Sequence, residues 1–202
     1  MAMDFYYVSP NYINYLQKIE TEIRGFTRVP NIEYDCNQNP KFFVGVVFLV
    51  NGFKYYAPMS HYKVQKPNNI LINITTDKKN PIKGSIRLNY MFPVLDQYIE
   101  QVKINDIKDI KYKRLVQKEL RFCIDNAKDI KAKALKTYLD VLLENDSKLL
   151  SNSCDFQLLE KALNNNPPLL DEEAEDSDKG LALIKWLGGE APVLPNPIFC
   201  DI

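Results

Sequence analysis

From Pro10 to Arg24 the apolar positions share one helical face, with Tyr12, Ile13, Leu16, Ile19 and Ile23 recurring close to every 3.6 residues. Pro10 suits a helix start and Gly25 a stop, so the spacing predicts a first helix over 10–24. The pattern then changes to strands. The run FFVGVVFLV at Phe42–Val50 is rich in β-branched and aromatic residues and too continuous for a surface strand. Asn51-Gly52 follows, the strongest short-range signal for a two-residue hairpin turn, and Phe53–Ala57 makes the return strand, with Pro58 expected to end the ladder. Residues 70–75 and 85–89 read as further strands, and 98–104 as a weaker one.

Helical spacing returns over 107–126 and 127–144, through Ile110, Leu115, Leu120, Phe122 and Ile124 and then Leu135, Tyr138, Leu139 and Leu142. Phe156–Leu163 predicts a shorter helix that Pro167-Pro168 stops. Asp171–Asp178 is an acidic linker, and Ser177 could cap a last helix over 179–187 that ends at Gly188-Gly189. The expected fold is α+β: one domain over 1–202, with a small barrel-like antiparallel sheet and leading helix in 1–106, a helical part in 107–166, and an acidic linker and extension in 167–202.

Charge refines this picture. The 202 residues hold 26 Lys+Arg, 26 Asp+Glu and one His. Residues 155–202 carry ten acids and three bases, whereas residues 1–154 carry 23 bases against 16 acids. That asymmetry suits a body that meets a polyanion. The longest apolar run is too short to span a bilayer, and the first residues lack a signal-peptide pattern. Cys36, Cys123, Cys154 and Cys200 are scattered without metal-ligand spacing, which argues for a reducing cytoplasm and against zinc. Nucleotide-binding, serine-hydrolase and zinc-protease motifs are absent.

The densest chemistry is YYAPMSHYK at Tyr55–Lys63, where a hairpin strand leaves the sheet. A hydroxyl, the only imidazole, phenols and an ammonium group meet there. Lys41, at the start of the same hairpin, is expected at the same end of the sheet. Such groups suit chemistry on a phosphate, where positioning and charge stabilisation do most of the work. Solvated strand ends and a plain turn are the bland alternative.

A resemblance narrows the choice. QNPK at Gln38–Lys41, VGVVFLVNGFKYYAPMS at Val44–Ser60, Lys63, and GSIRLNYMFP at Gly84–Pro93 together resemble the ToxN/AbiQ family, over roughly residues 3–150. The resemblance implies endoribonuclease toxins of type III toxin–antitoxin systems, with an SH3-like barrel core similar to the Kid/MazF toxins and no metal or cofactor. It also implies inhibition by a repeated RNA pseudoknot antitoxin in a closed protein–RNA assembly, with cellular or phage RNA as substrate and no membrane partner.

Carried over by position, the family's Pro-Leu-Thr-Ser run falls on Pro58, Met59, Ser60 and His61, and its lysine on Lys63. The family's serine is thus replaced here by His61, with a hydroxyl one residue earlier. The QNPK lysine is Lys41, and a tyrosine frequent before it falls on Asn37, with Tyr34 the nearest phenol. Catalysis is accordingly assigned to Lys63, His61, Ser60 and Lys41. RNA binding is assigned to Tyr55, Tyr56, Tyr62, Asn37, Lys108, Lys111, Arg114 and Lys118, with no metal ligand. A non-catalytic RNA-binding module and a protein-interaction domain remain as alternatives.

Overall fold

The computed structural model describes residues 3–31, 42–143 and 147–165. Lys41, Asn37, Tyr34, Cys36, Cys200, the acidic linker and the expected helix over 179–187 lie outside the described residues.

The first helix, α1, runs Pro10–Arg24, with Pro10 in its first turn. Gly25 ends it at φ 75°, a left-handed backbone in which its N–H reaches the Thr21 carbonyl. The hairpin is β2 (Phe43–Val50) and β3 (Phe53–Ser60). Asn51 and Gly52 both adopt positive φ, 50° and 81°, as a tight two-residue turn requires. The ladder slips by two residues between Val44 and Phe48. Gly45 lies in that irregular stretch, and a β carbon there would stand 2.1 Å from the Tyr56 ring.

Around the hairpin lie β1 (Asp4–Val8), β4 (Asn69–Asn73), β5 (Ile82–Arg87), β6 (Phe92–Val94) and β7 (Ile99–Gln101). The order is β4-β5-β3-β2-β1-β7, with β6 beside β3 and every pairing antiparallel. Among the described residues β4 and β7 do not pair, so the sheet is open where a closed barrel was expected. The helix α2 (Ile110–Asp125) packs against both β1 and β4, spanning the two sides of the sheet. Helix cover is one of the ways a sheet edge is protected without closure.

Pro58 does not end β3, contrary to expectation. Phe43 pairs with Pro58, and the Met59 N–H donates to the Phe42 carbonyl at 3.0 Å. On its other side β3 pairs with β6 through Tyr56 and with β5 from Met59 onward. The missing N–H of proline sits at this change of partner, where the ladder needs no donor.

Helices α3 (Ala127–Leu142), α4 (Ser147–Ser151) and α5 (Phe156–Asn165) complete the described fold. Two buried carboxylates fasten them. Glu20 on α1 accepts from Arg24 (2.6 Å), Thr27 Oγ1 (2.7 Å) and the Asp155 N–H (2.7 Å). Glu160 on α5 accepts from Tyr55 (2.5 Å), Tyr138 (3.0 Å) and Asn51 (3.0 Å). Loss of water raises the pKa of the Glu160 carboxyl, and the three donors oppose that rise. No helix among the described residues is long and apolar enough to cross a membrane.

Candidate active site

The end of β3 is pinned to β5. Ser60 is the cross-strand partner of Ser85, and Met59 of Ile86. Ile86 is fully buried, so the alternation of the strand puts Ser85 and Arg87 on the opposite face together with Ser60. Gly84 permits the close approach: a β carbon there would meet the Ser60 carbonyl oxygen at 2.3 Å.

The chain then turns through His61, Tyr62 and Lys63. The Tyr62 N–H donates to the Ser60 hydroxyl oxygen at 3.2 Å, and its carbonyl accepts from the Ser85 hydroxyl at 2.7 Å. Among the described residues the Ser60 hydroxyl donates to no acceptor, which leaves its proton for a ligand. His61 and Lys63 are exposed, and Lys63 Nζ lies 3.5 Å from Asn80 Oδ1. Asn80 belongs to a loop ordered by Asp77, which accepts from the Lys79 and Asn80 N–H groups and forms an ion pair with Lys83. The segment after Lys63 folds around the buried Asn69 side chain, which accepts from the Lys66 N–H at 2.9 Å and donates to the Val64 carbonyl at 2.9 Å. Ser60, His61 and Lys63 therefore stand together on one supported turn.

The aromatic residues divide. Tyr55 is fully buried, stacked on Phe48 at 4.6 Å and bonded to Glu160. Tyr56 is 1% exposed and meets Tyr6 edge-on. Neither offers a ring face to a base, which corrects their assignment to RNA binding: both belong to the core. Tyr62 stays at the surface, half-buried.

Lys111, Arg114 and Lys118 are exposed at helical spacing along α2, and Lys108 is exposed just before it. Lys108 lines a groove of about 530 Å³ with Tyr7, Lys103 and Tyr112. Lys133 on α3 donates to the Asn69 carbonyl at 2.7 Å, and burial lowers its pKa. It is occupied with loop structure.

Sequence reading passed over Arg87, which lies inside the GSIRLNYMFP motif. Its guanidinium carbon sits 4.9 Å from the centre of the Tyr62 ring and 4.6 Å from that of Tyr90. The pairing of Ser85 with Ser60 is what brings it beside the turn.

Comparison with known proteins gives the family. Residues 4–164 match the family described as toxin ToxN, type III toxin–antitoxin system. The chain belongs to that family of toxins. It is 29% identical over 184 residues to the endoribonuclease ToxN of Pectobacterium atrosepticum, covering 88% of this chain and 99% of the relative. With the endoribonuclease AbiQ of Lactococcus lactis subsp. lactis it shares 30% identity over 171 residues, covering 79% and 87%. A solved structure from a bacterial antiviral system regulated by a processed non-coding RNA superposes with a TM-score of 0.69. That match has 27% identity and covers 80% of this chain and 97% of the other.

Proposed function

We propose that the protein is a metal-independent endoribonuclease toxin that cleaves single-stranded RNA at the Ser60–Lys63 turn. The observation that carries this reading is the grouping of a hydroxyl, an imidazole and an ammonium group on one exposed turn whose backbone is fixed by Ser85 and Gly84. The endoribonuclease relatives named above support it.

In the reaction the 2′-hydroxyl of the substrate attacks the adjacent phosphorus and the bond to the 5′ oxygen breaks. The products carry a 2′,3′-cyclic phosphate and a 5′-hydroxyl. Lys63, with Lys41, offsets the negative charge that builds on the phosphorane. The Ser60 hydroxyl donates to a non-bridging oxygen. His61 carries a proton from the attacking hydroxyl or to the leaving oxygen, work that suits an imidazole. No covalent enzyme intermediate is needed, because the substrate supplies its own nucleophile.

The toxin is held inactive by a repeated RNA pseudoknot antitoxin in a closed protein–RNA assembly. Lys108, Lys111, Arg114 and Lys118 contact its phosphates and Tyr62 stacks on an unpaired base. The non-coding RNA of the solved antiviral system supports this partner class.

The test is incubation of antitoxin-free protein with single-stranded RNA in EDTA. Fragments with cyclic phosphate and 5′-hydroxyl ends, suppressed by added antitoxin RNA, are expected. RNA retained but uncut would make the protein a binding module, and neither binding nor cleavage would favour a protein-interaction domain.

A further inference from the structure

We infer that Arg87 is a phosphate receptor beside the Ser60–Lys63 turn, and that it takes the substrate phosphate next to the scissile one. The inference rests on the endoribonuclease reading above and adds to it a residue that positions the substrate strand.

Three observations carry it. The first is charge without compensation. Arg24 and Arg121 both meet carboxylates, but Arg87 forms no ion pair among the described residues. Its Nε is buried without a hydrogen-bond partner. A partly buried cation normally finds an anion, because desolvating an unpaired charge is costly. The second is preorganisation. The Tyr62 and Tyr90 rings hold the guanidinium at 4.9 and 4.6 Å, which fixes its position and leaves its charge unneutralised. A held, planar fork of N–H donors matches two oxygens of one phosphate.

The third is placement. Arg87 is two residues along β5 from Ser85, whose cross-strand partner is Ser60, and these side chains share a face. Two residues of strand span about 7 Å, the scale of one nucleotide step in an extended strand. With the scissile phosphate at Ser60 and Lys63, the next phosphate along the strand falls at Arg87. Tyr62, which lies between the two positions in the chain, is tied by its backbone to Ser60 and Ser85 and by its ring to Arg87.

The decisive experiment is a coupling cycle on cleavage. The wild type and Arg87→Gln are compared on an RNA of mapped cleavage site and on the same RNA with one neutral methylphosphonate beside the scissile phosphate, on either side in turn. Arg87→Gln should lower kcat/KM about ten- to a hundredfold on the natural RNA, the range for loss of a charge-assisted pair. On one of the two methylphosphonate RNAs it should cost little further. Arg87→Lys, which keeps the charge and loses the fork, should fall between. Melting curves on both variants check the fold, and a purely structural role would lower activity equally on all three RNAs. Equal losses, or no loss, overturn the inference. So does an effect confined to inhibition by the antitoxin, which would assign Arg87 to that RNA instead. Should the wild type bind RNA without cutting it, the functional reading fails separately. Arg87 is then judged by the salt dependence of binding, where removing one phosphate contact lowers the slope by about 0.7. An unchanged slope overturns the receptor role.

Discussion

Gly84 and Ser60 approach so closely that the glycine has room for a hydrogen and nothing larger. A β carbon at 84 would lie 2.3 Å from the Ser60 carbonyl oxygen, a backbone atom that cannot swing aside. Gly84→Ala should therefore separate the ends of β3 and β5 and shift the turn that carries His61 and Lys63. The expected stability loss is about 1–3 kcal/mol, as for overpacking. Cleavage should fall by about 10²-fold, because an ångström of misplacement is costly at a reacting centre. Calorimetry and a cleavage assay on one sample measure both.

Lys63→Ala should leave the fold intact, since Lys63 is exposed and its hydrogen bond to Asn80 is 3.5 Å long. The cleavage rate should drop about 10²–10³-fold, the usual effect of losing one preorganised donor to transition-state charge. Cells should tolerate expression of the variant without antitoxin, whereas the wild type should stop growth. Equal toxicity of the two would take Lys63 out of the reaction.

On the proposed reading, His61 stands where the family resemblance calls for a serine. His61→Ser should retain most activity if a hydroxyl there can orient the substrate, and lose it if the imidazole has taken over proton transfer. His61→Ala should be slow in both cases. Single-turnover rates of the three proteins on one RNA separate the possibilities, and an alanine variant as fast as the wild type would leave His61 without a role.

Glu160 joins the hairpin turn, β3 and α3 through Asn51, Tyr55 and Tyr138. Glu160→Ala leaves two buried phenols without an acceptor and should cost about 2–4 kcal/mol. Glu160→Gln keeps an acceptor oxygen and imitates the neutral carboxyl that burial favours, so it should cost about 1 kcal/mol or less. Denaturant titration of both variants checks the order.

Burial pushes the Glu119 carboxyl up to about 7, against an opposing pull from Lys83. An acid whose pKa is higher folded than unfolded stays protonated in the native state while the unfolded chain ionises. Its stabilisation is complete below the unfolded value of 4.5 and is lost as pH rises towards 7. Glu119→Gln should flatten that decline and make the protein more stable than wild type above pH 7, by roughly 1–3 kcal/mol. Melting temperatures measured from pH 4 to pH 8 test the sign.

Much of this molecule could be read from its residues. The α1 face, the Asn-Gly turn and the helices expected over 107–126, 127–144 and 156–163 follow from local periodicity and turn chemistry, and the structure places them within a few residues. β1 went unread because Asp4–Val8 is short and shows no clean alternation, and only its neighbours β2 and β7 make it a strand. β6 was missed for the same reason, being Phe92–Val94 with a proline at its centre. Tyr55 and Tyr56 could not be sorted from Tyr62, since all three are tyrosines near one strand end. Their division rests on Glu160 and Tyr6, which are remote in sequence. Arg87 is a single charge in a strand until the Ser60–Ser85 pairing sets it beside the turn.

The two buried carboxylate hubs have a consequence for timing. Tyr55 and Glu20 are made early, yet their partners Glu160 and the Asp155 N–H come more than a hundred residues later. A chain still being synthesised can already carry the hairpin and Lys63, but the Tyr55 phenol lacks its Glu160 acceptor and Glu20 bonds its neighbours Arg24, Thr27, Arg28 and Val29 without the Asp155 N–H. The buried hydrogen bonds beneath the sheet are therefore complete only when α5 arrives, close to the end of the family-matched stretch. For a nuclease that order matters: most of the message for the family-matched stretch is read before its product holds every one of these buried anchors.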